Sequence, residues 1–337
     1  MAYNFPSVSL LVLAYNQREL LDRAVASAFA QDCAPIEIIL SDDGSSDGSF
    51  ERMQELAASY RGPHRVRARR NDGNVGIGEH YNQVIATASG ELLVTAAGDD
   101  VSTPDRVRRL VAAWDATERR ADLIASDVLD LDHRGRLHDV IRVDDLSRWR
   151  GVDDWMMKRP YIIGAGHAFT RRSMEHFGPL TKSIAYEDQI TVFRAICQGG
   201  AVTVSVPLVH YRRGGTSGRP NFDTAQDMES WSARQIDRML AEMQQLIADA
   251  DVAGCGERMR AVMDSPMQRN RYLRALQRRP PWPERLQALR DAATLPLGWR
   301  LRKMLHTVFP NATLRVKSIL QLFHRRYWRA RRADRAR

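Results

Sequence analysis

Two rhythms of apolar and polar positions alternate through the first third of the chain. Residues 8–14 (VSLLVLA) form a continuous apolar run, the pattern of a central parallel strand covered on both faces. Leu20, Leu21, Ala24, Val25, Ala28 and Phe29 then recur at helical spacing, with Asn16 placed as N-cap and Glu19 three residues on in the manner of a capping box. A second strand is predicted over 36–41 (IEIILS), followed from about Asp47 by a helix that buries Phe50, Met53, Leu56 and Ala57. A shorter, alternating strand covers 64–70, residues 71–78 are turn-rich, and Tyr81, Val84, Ile85 and Ala88 mark the next helix. A further apolar run, 91–96 (ELLVTA), is bounded by Gly90 and Gly98 and breaks into two adjacent carboxylates, Asp99 and Asp100. Thr103 then reads as an N-cap and Pro104 as the first helical residue. This β-α-β-α-β-α-β order predicts an α/β fold built on a doubly wound, mostly parallel sheet.

Past the helix carrying Val107, Leu110, Val111 and Trp114 the rhythm changes. Residues 122–132 and 137–143 flank a His-Arg-Gly turn and read as an antiparallel ribbon, and 162–170 as a strand with glycine and alanine breaks. A helix that opens with acids is predicted over 186–197 and a strand over 202–211. From about Asp223 the pattern is helical, interrupted at Pro280, Pro281 and Pro283. The division expected is 1–217 as one α/β domain and 218–337 as a mainly helical region.

Three strand ends converge by sheet logic: Ala14-Tyr15-Asn16, Asp42-Asp43-Gly44-Ser45 and Gly98-Asp99-Asp100. Open α/β sheets bind ligands at that carboxyl edge. A tyrosine ring there can cover a base, a carboxylate can accept from a base N–H or ribose hydroxyl, and paired acids suit a hard divalent cation serving a phosphate-bearing substrate. His210 could reach such a metal or a diphosphate, Arg212 and Arg213 could pair with phosphate oxygens, Gly214 and Gly215 would let that segment close, and His167 could face an acceptor.

Composition narrows the class. A hydrophobic fraction of 44% over 337 residues suits a globular protein, and no run of apolar residues is long enough to span a membrane. The N-terminal sequence lacks the pattern of a signal peptide. Cys33, Cys197 and Cys255 are too few and too scattered for a disulfide framework or a zinc site, which fits a reducing cytosol. The net charge of +9 is uneven: residues 300–337 carry twelve Lys or Arg against one acid, a balance of +11, leaving −2 for the rest. The basicity belongs to a tail whose apolar positions, Trp299, Leu301, Met304, Leu305 and Val308, then Leu314 to Tyr327, follow helical spacing. Residues 297–330 are therefore expected to lie on an anionic membrane surface. Nucleic acid is not expected, since no recognisable module accompanies the basic tail.

The segments VSLLVLAYNQRELLDRAVASAFAQ, IEIILSDDGSSDGS, NVGIGEHYNQVIATASGELL, AGDD with TPDRV, and AYEDQ occur in an order and spacing that resembles the family-2 glycosyltransferases, inverting nucleotide-sugar enzymes of the GT-A fold. The resemblance covers roughly residues 7–217. It implies a Rossmann-like mixed sheet flanked by helices, here with a helical, basic C-terminal extension. It also implies a nucleotide-sugar donor, expected to be a UDP-sugar, bound by Ala14, Tyr15, Asn16, Asp42, Asp43, Asn74, Gly76, Asp99 and Arg212. A divalent metal, Mn2+ or Mg2+, falls to Asp99, Asp100 and His210, and the general base to Asp188, with Glu187 beside it. One departure stands out: Ala97 occupies the place of the first acid of the family's D-x-D, which bears on ribose contacts and metal affinity. The chain lacks the Q-x-x-R-W motif of processive members, so one sugar per encounter is expected, passed to a glycan or lipid-linked acceptor in surface polysaccharide or glycolipid synthesis. The place implied is the cytoplasm, at the inner face of the cell membrane. The rival from another class is a degenerate, non-catalytic scaffold, supported by Ala97 and opposed by Asp99, Glu187 and Asp188. A dehydrogenase would need G-x-G-x-x-G directly after the first strand, where this chain has AYNQ. A nucleotidyltransferase would carry a glycine-rich basic loop there.

Overall fold

In the computed structural model, which describes residues 4–213, 224–278 and 280–308, the first half follows the predicted alternation. The strands β1 (Val8–Ala14), β2 (Glu37–Asp42) and β3 (Arg65–Arg70) alternate with the helices α1 (Arg18–Phe29), α2 (Ser49–Ser59) and α3 (Ile77–Thr87), leading to β4 (Leu92–Ala97). Their order in the sheet is β3-β2-β1-β4, all parallel. β1 and β2 are buried at every position, as a run without polar alternation requires.

The second half turns the sheet into a mixed one. A two-residue strand β5 (Val101–Ser102) and helix α4 (Arg106–Ala116) lead to β6 (Leu123–Leu131), which pairs antiparallel with β7 (Leu137–Ile141) as expected of the ribbon. After α5 (Val152–Met157) come β8 (His167–Thr170), α6 (Arg171–Phe177), α7 (Glu187–Cys197) and β9 (Ala201–Arg212). β8 inserts antiparallel between β4 and β6, β9 runs parallel to β6, and β5 closes on the end of β9. Side chains of β1, β2, β4, α1 and α4 form the main core, with Leu10, Val12, Leu21, Ile38, Leu92, Val94, Val107 and Leu110 fully enclosed.

Three local predictions are corrected. Asn16 does not cap α1: it adopts a left-handed φ of 51°, and the cap position falls to Gln17 without a side-chain bond. The N–H groups entering this helix are instead met from the β2–α2 loop, by Ser45 Oγ for Asn16, Ser49 Oγ for Gln17 and Asp47 Oδ2 for Arg18. Likewise α4 starts at Arg106 rather than Pro104, because Thr103 spends its hydroxyl on Asp105 Oδ1 and its carbonyl on Arg106 N. The strand expected over 162–170 shrinks to 167–170. The preceding residues form a tight turn, Gly164–Gly166, whose carbonyls bond to side chains of Thr95 and Arg106 in place of a neighbouring strand.

Beyond β9 the described residues are helical: α8 (Ala225–Val252), α9 (Gly256–Gln277), α10 (Trp282–Asp291) and α11 (Leu297–Val308). The proline cluster falls at the start of α10, as its missing donors and fixed φ demand. By contacts the chain divides into two units, Met1–Asn221 with Ala241–Ala261, and Phe222–Leu240 with Val262–Arg337. The end of α8 groups with the first unit because Asp249 makes a bidentate pair with the fully buried Arg194 of α7, at 2.7 and 3.0 Å, and Gln245 accepts from Thr181 N. There too Cys197 meets Cys255 side chain to side chain, although far from it in sequence. The second unit has its own small core of Tyr272, Leu276, Ala292, Leu295 and Met304, with Trp299 packed on it. The stripe predicted on α11 therefore splits. Trp299 and Met304 turn inward, while Leu297, Leu301 and Leu305 stand exposed one turn apart. The expected closing residues Gly214 and Gly215, and the tail beyond 308, lie outside the described residues.

Candidate active site

The parallel register of β1, β2 and β4 brings the three predicted strand ends to one edge of the sheet. The first two loops are latched together. Besides the bonds that serve α1, Asn16 Oδ1 accepts from Ser46 N at 3.0 Å, and Asp43 N donates to Ala14 O at 2.9 Å. Gly44 has φ +72°, and a Cβ there would lie 2.4 Å from the Gly73 carbonyl carbon, so only glycine lets this loop pack on the 73–74 backbone.

The two acids of this loop are spent differently. Asp43 is buried, and its oxygens take Asn71 Nδ2 at 2.7 Å, Val75 N at 3.0 Å and Gly76 N at 3.1 Å. It thereby shapes the loop that presents Asn74 and Gly76. Asp42 is fully enclosed; Oδ2 accepts from Ser45 N, while Oδ1 has no hydrogen-bond partner among the described residues. Tyr15, 44% exposed, faces solvent at this edge, as do Asn16 and Asn74.

At the end of β4, Asp99 is half-buried and Asp100 buried. Burial raises the pKa of both, and the Asp99 charge beside Asp100 adds to it, pushing Asp100 up to about 7. Gln17, which sequence reasoning passed over, hydrogen-bonds Asp99. Arg212 donates its N–H to Asp100 Oδ1 at 2.7 Å and its Nε to the Asp99 carbonyl at 3.3 Å. Thus β9 brings Arg212 to the acids. His210 is a different matter. It pairs with Val101 across β5, burial and Arg23 lower its pKa, and among the described residues no group of three or more His, Cys, Asp or Glu is placed to hold a metal ion. The predicted three-residue metal set is therefore not assembled. Two adjacent carboxylates that burial pushes toward protonation fit a divalent cation whose other ligands come from a bound diphosphate, and do not fit one caged by protein alone.

Glu187 and Asp188 open α7, where negative charge is favoured. Both have raised pKa values, Glu187 through burial and the Asp188 charge, Asp188 through burial and the Glu242 charge. They press against Gly164, where a Cβ would lie 2.9 Å from Glu187 Oε1 and 3.3 Å from Asp188 Cβ. Gly164 is held in turn by Thr95 of β4, whose Oγ1 reaches its carbonyl at 3.2 Å. Arg106, completely buried, ties Thr95 O and Ala165 O together at 2.7 Å each and reaches Ser102 Oγ at 2.9 Å. Neither Gly164 nor Thr95 carries a sequence signal; Arg106 lies in the TPDRV segment but reads there as an ordinary helix cation. His167, expected toward an acceptor, is buried within the sheet opposite Ala125. Neither ring nitrogen has a partner among the described residues, and burial pushes its pKa down to about 3. An open groove of about 580 Å³ exists elsewhere on the first unit, between Leu180, Thr181, Gln245 and Ala248, and contains none of these residues except the Asp249 partner of Arg194.

Comparison with known proteins agrees with this layout. A family model described as "Glycosyl transferase family 2" matches residues 9–176. That stretch is a family 2 glycosyltransferase domain. Curated relatives include the succinoglycan biosynthesis protein ExoO of Rhizobium meliloti, 35% identical over 38% of this chain and 36% of its own length. Another is the putative colanic acid biosynthesis glycosyl transferase WcaA of Escherichia coli, 32% identical over 37% of this chain and 43% of its own. The chain thus matches less than half the length of these relatives. Among solved structures, S. aureus TarS 1-349 in complex with UDP-GlcNAc superposes with a TM-score of 0.54 at 14% identity, covering 89% of both chains. The mannosyltransferase PcManGT from Pyrobaculum calidifontis, in complex with GDP-Man and Mn2+, gives 0.53 at 14% identity, covering 92% of this chain and 89% of its own. At such identities the likeness establishes the fold, which is GT-A with a helical C-terminal region.

Proposed function

We propose that this family 2 glycosyltransferase moves a single sugar from a nucleotide-diphospho-sugar, a UDP-sugar foremost, to a hydroxyl of a glycan or lipid-linked acceptor, with inversion. The observation that carries the reading is that one strand serves both chemical centres: β4 leads directly into Asp99 and Asp100, and through Thr95 it anchors the Gly164 turn against which Glu187 and Asp188 pack. Tyr15 covers the base, the loop shaped by Asp43 holds the nucleoside, and Arg212 with Asp99 receives the diphosphate. A divalent cation held by Asp99 and Asp100 would neutralise the charge that grows on the departing oxygens. Asp188 accepts the acceptor's hydroxyl proton as that oxygen bonds to the anomeric carbon and the bond to the nucleoside diphosphate breaks. The names of the relatives, succinoglycan and colanic acid biosynthesis, support surface polysaccharide as the product.

A thermal-shift screen of UDP- and GDP-sugars with and without Mn2+, followed by turnover of the stabilising donor, tests this. A manganese-dependent shift with release of nucleotide supports the enzyme. Donor binding with no turnover on any acceptor would leave the scaffold reading standing.

Peripheral attachment to an anionic cytoplasmic membrane face is part of the same proposal. Among the described residues no helix is long and apolar enough to cross a membrane. The exposed Leu297, Leu301 and Leu305 on α11, interleaved with Arg300, Arg302 and Lys303, support surface contact. Co-sedimentation of the full chain with anionic vesicles, absent with neutral ones, is the expected result; equal recovery in the supernatant with both overturns it.

A further inference from the structure

Tyr81 sits on α3, outside every loop that the proposed reaction uses. It is 3% exposed, and its ring stacks on Phe169 with centroids 6.3 Å apart. Its hydroxyl donates to Glu187 Oε1 at 3.1 Å, across 106 residues of sequence, and also meets the hydroxyl of Thr95. The Glu187 carboxyl is therefore held by the phenol on one side and has Gly164 on the other, where there is no room for a side chain. Asp188 is held otherwise: its Oδ1 accepts from its neighbour Gln189 N at 2.7 Å, and it also takes a backbone bond from Gly164.

We propose that Tyr81 is a positioning residue for the acid pair: its hydroxyl fixes Glu187 against Gly164 and stabilises it as the anion, leaving Asp188 as the carboxylate that takes the acceptor's proton. Two adjacent carboxyls would otherwise compete for one role. The groups facing the pair make the consequence definite. Asp188 faces Glu187 and Glu242 of α8, the latter paired with Arg159, while Tyr81 faces Glu187, Asp188 and the buried Arg106. An ionised Glu187 beside Asp188 makes Asp188 a stronger base. Losing the phenol donor lets Glu187 keep its proton, removes that neighbouring charge and weakens Asp188. The inference rests on the glycosyltransferase reading for its catalytic consequence but not for its first measurement.

The test is Tyr81→Phe in the full chain, which keeps the ring and its stacking. In ligand-free protein carrying isotope-labelled glutamate, infrared titration follows the protonated carboxyl band of Glu187, identified by its loss in Glu187→Gln. The band should persist about one pH unit higher in Tyr81→Phe than in the wild type, the size expected for one hydrogen bond to a charged group. With the donor found by screening, kcat should fall roughly tenfold with donor KM unchanged, and Tyr81→Phe should cost nothing further in a Glu187→Gln background. A purely structural tyrosine would lower the melting temperature without moving the titration. An unmoved band, or additive losses in the double variant, overturns the proposal. Absence of turnover in the wild type would instead count against the enzyme reading while the titration still decides the role of Tyr81. Should Tyr81→Phe fold poorly, Thr95→Ser, which keeps the hydroxyl but loosens its packing beside the phenol, must move the same band in the same direction, and no movement there overturns the proposal equally.

Discussion

Two pairs of adjacent acids lie in this domain, and burial raises the pKa of all four, yet their surroundings differ in kind. Asp99 and Asp100 have cations near them: Arg212 acts on both, and Arg106 on Asp100. Glu187 and Asp188 have none among the causes of their shifts; their partners are a phenol, backbone amides and further acids. In the proposed reaction the first pair, raised by burial while neighbouring guanidinium groups oppose that rise, takes a divalent cation. In the same reaction the second pair, with acids and a phenol beside it, holds and passes a proton. Identical residue types thus take opposite roles because of what the fold sets opposite them.

The sharpest way to break this contrast is at Asp99. Asp99→Ala should abolish transfer and remove the manganese-dependent thermal shift by donor, whereas full transfer by that variant in the presence of a chelator would end the cation assignment. Asp188→Asn keeps the shape of the side chain but not its proton acceptor. Turnover should drop by roughly 10²-fold or more with donor binding preserved, and the acid limb of kcat/KM in the wild type should lie above the ordinary carboxylate range near ~4. A product that retains the donor's anomeric configuration would refute the single displacement.

A third prediction concerns stability. A carboxyl whose folded pKa exceeds its unfolded value binds its proton more tightly in the folded chain, so its contribution is complete below about pH 4 and is lost as pH rises through the raised value. The raised carboxyls therefore act to lower melting temperature between about pH 5 and pH 7, against the opposite action of the depressed His167, and Glu187→Gln should make the profile fall less steeply than that of the wild type. A fall of equal steepness in the variant would place the sensitivity elsewhere. The smallest effect is expected at the latch on the donor side: Ser45→Ala removes the acceptor of Asn16 N and should cost about 1 kcal/mol, read by denaturant unfolding, with the pH dependence unchanged.

How much of this was legible differs between the two pairs. The Asp99 loop follows a strand and precedes a helix within a few residues, so its place at the sheet edge could be read from local pattern. The convergence of Ala14, Asp42 and Asp99 also follows once parallel order is inferred, because consecutive β-α units leave little choice of topology. At the other pair, the AYEDQ segment was legible only by resemblance, and its surroundings were not legible at all. Tyr81, Thr95, Gly164 and Arg106 come from separate elements, and nothing in their spacing announces that they meet. Capping went astray for the same reason: Asn16 had the right residue type in the right place, but side-chain acceptors from 29 to 32 residues away met the entering N–H groups first.

What the chain determines alone is whatever depends on neighbours in sequence: the buried run of β1, the helical faces of α1 to α4, the proline start of α10 and the acids that follow β4. Periodicity and turn chemistry act over a few residues, so they survive in the one-dimensional record. Tertiary structure alone decided which carboxyl faces a phenol, that Asp43 serves the 71–76 loop, that His167 is sealed in the sheet, and that α11 turns Trp299 inward while Leu301 faces out. Those outcomes depend on desolvation and on partners brought together across the sheet, and a carboxylate's chemistry is set by both.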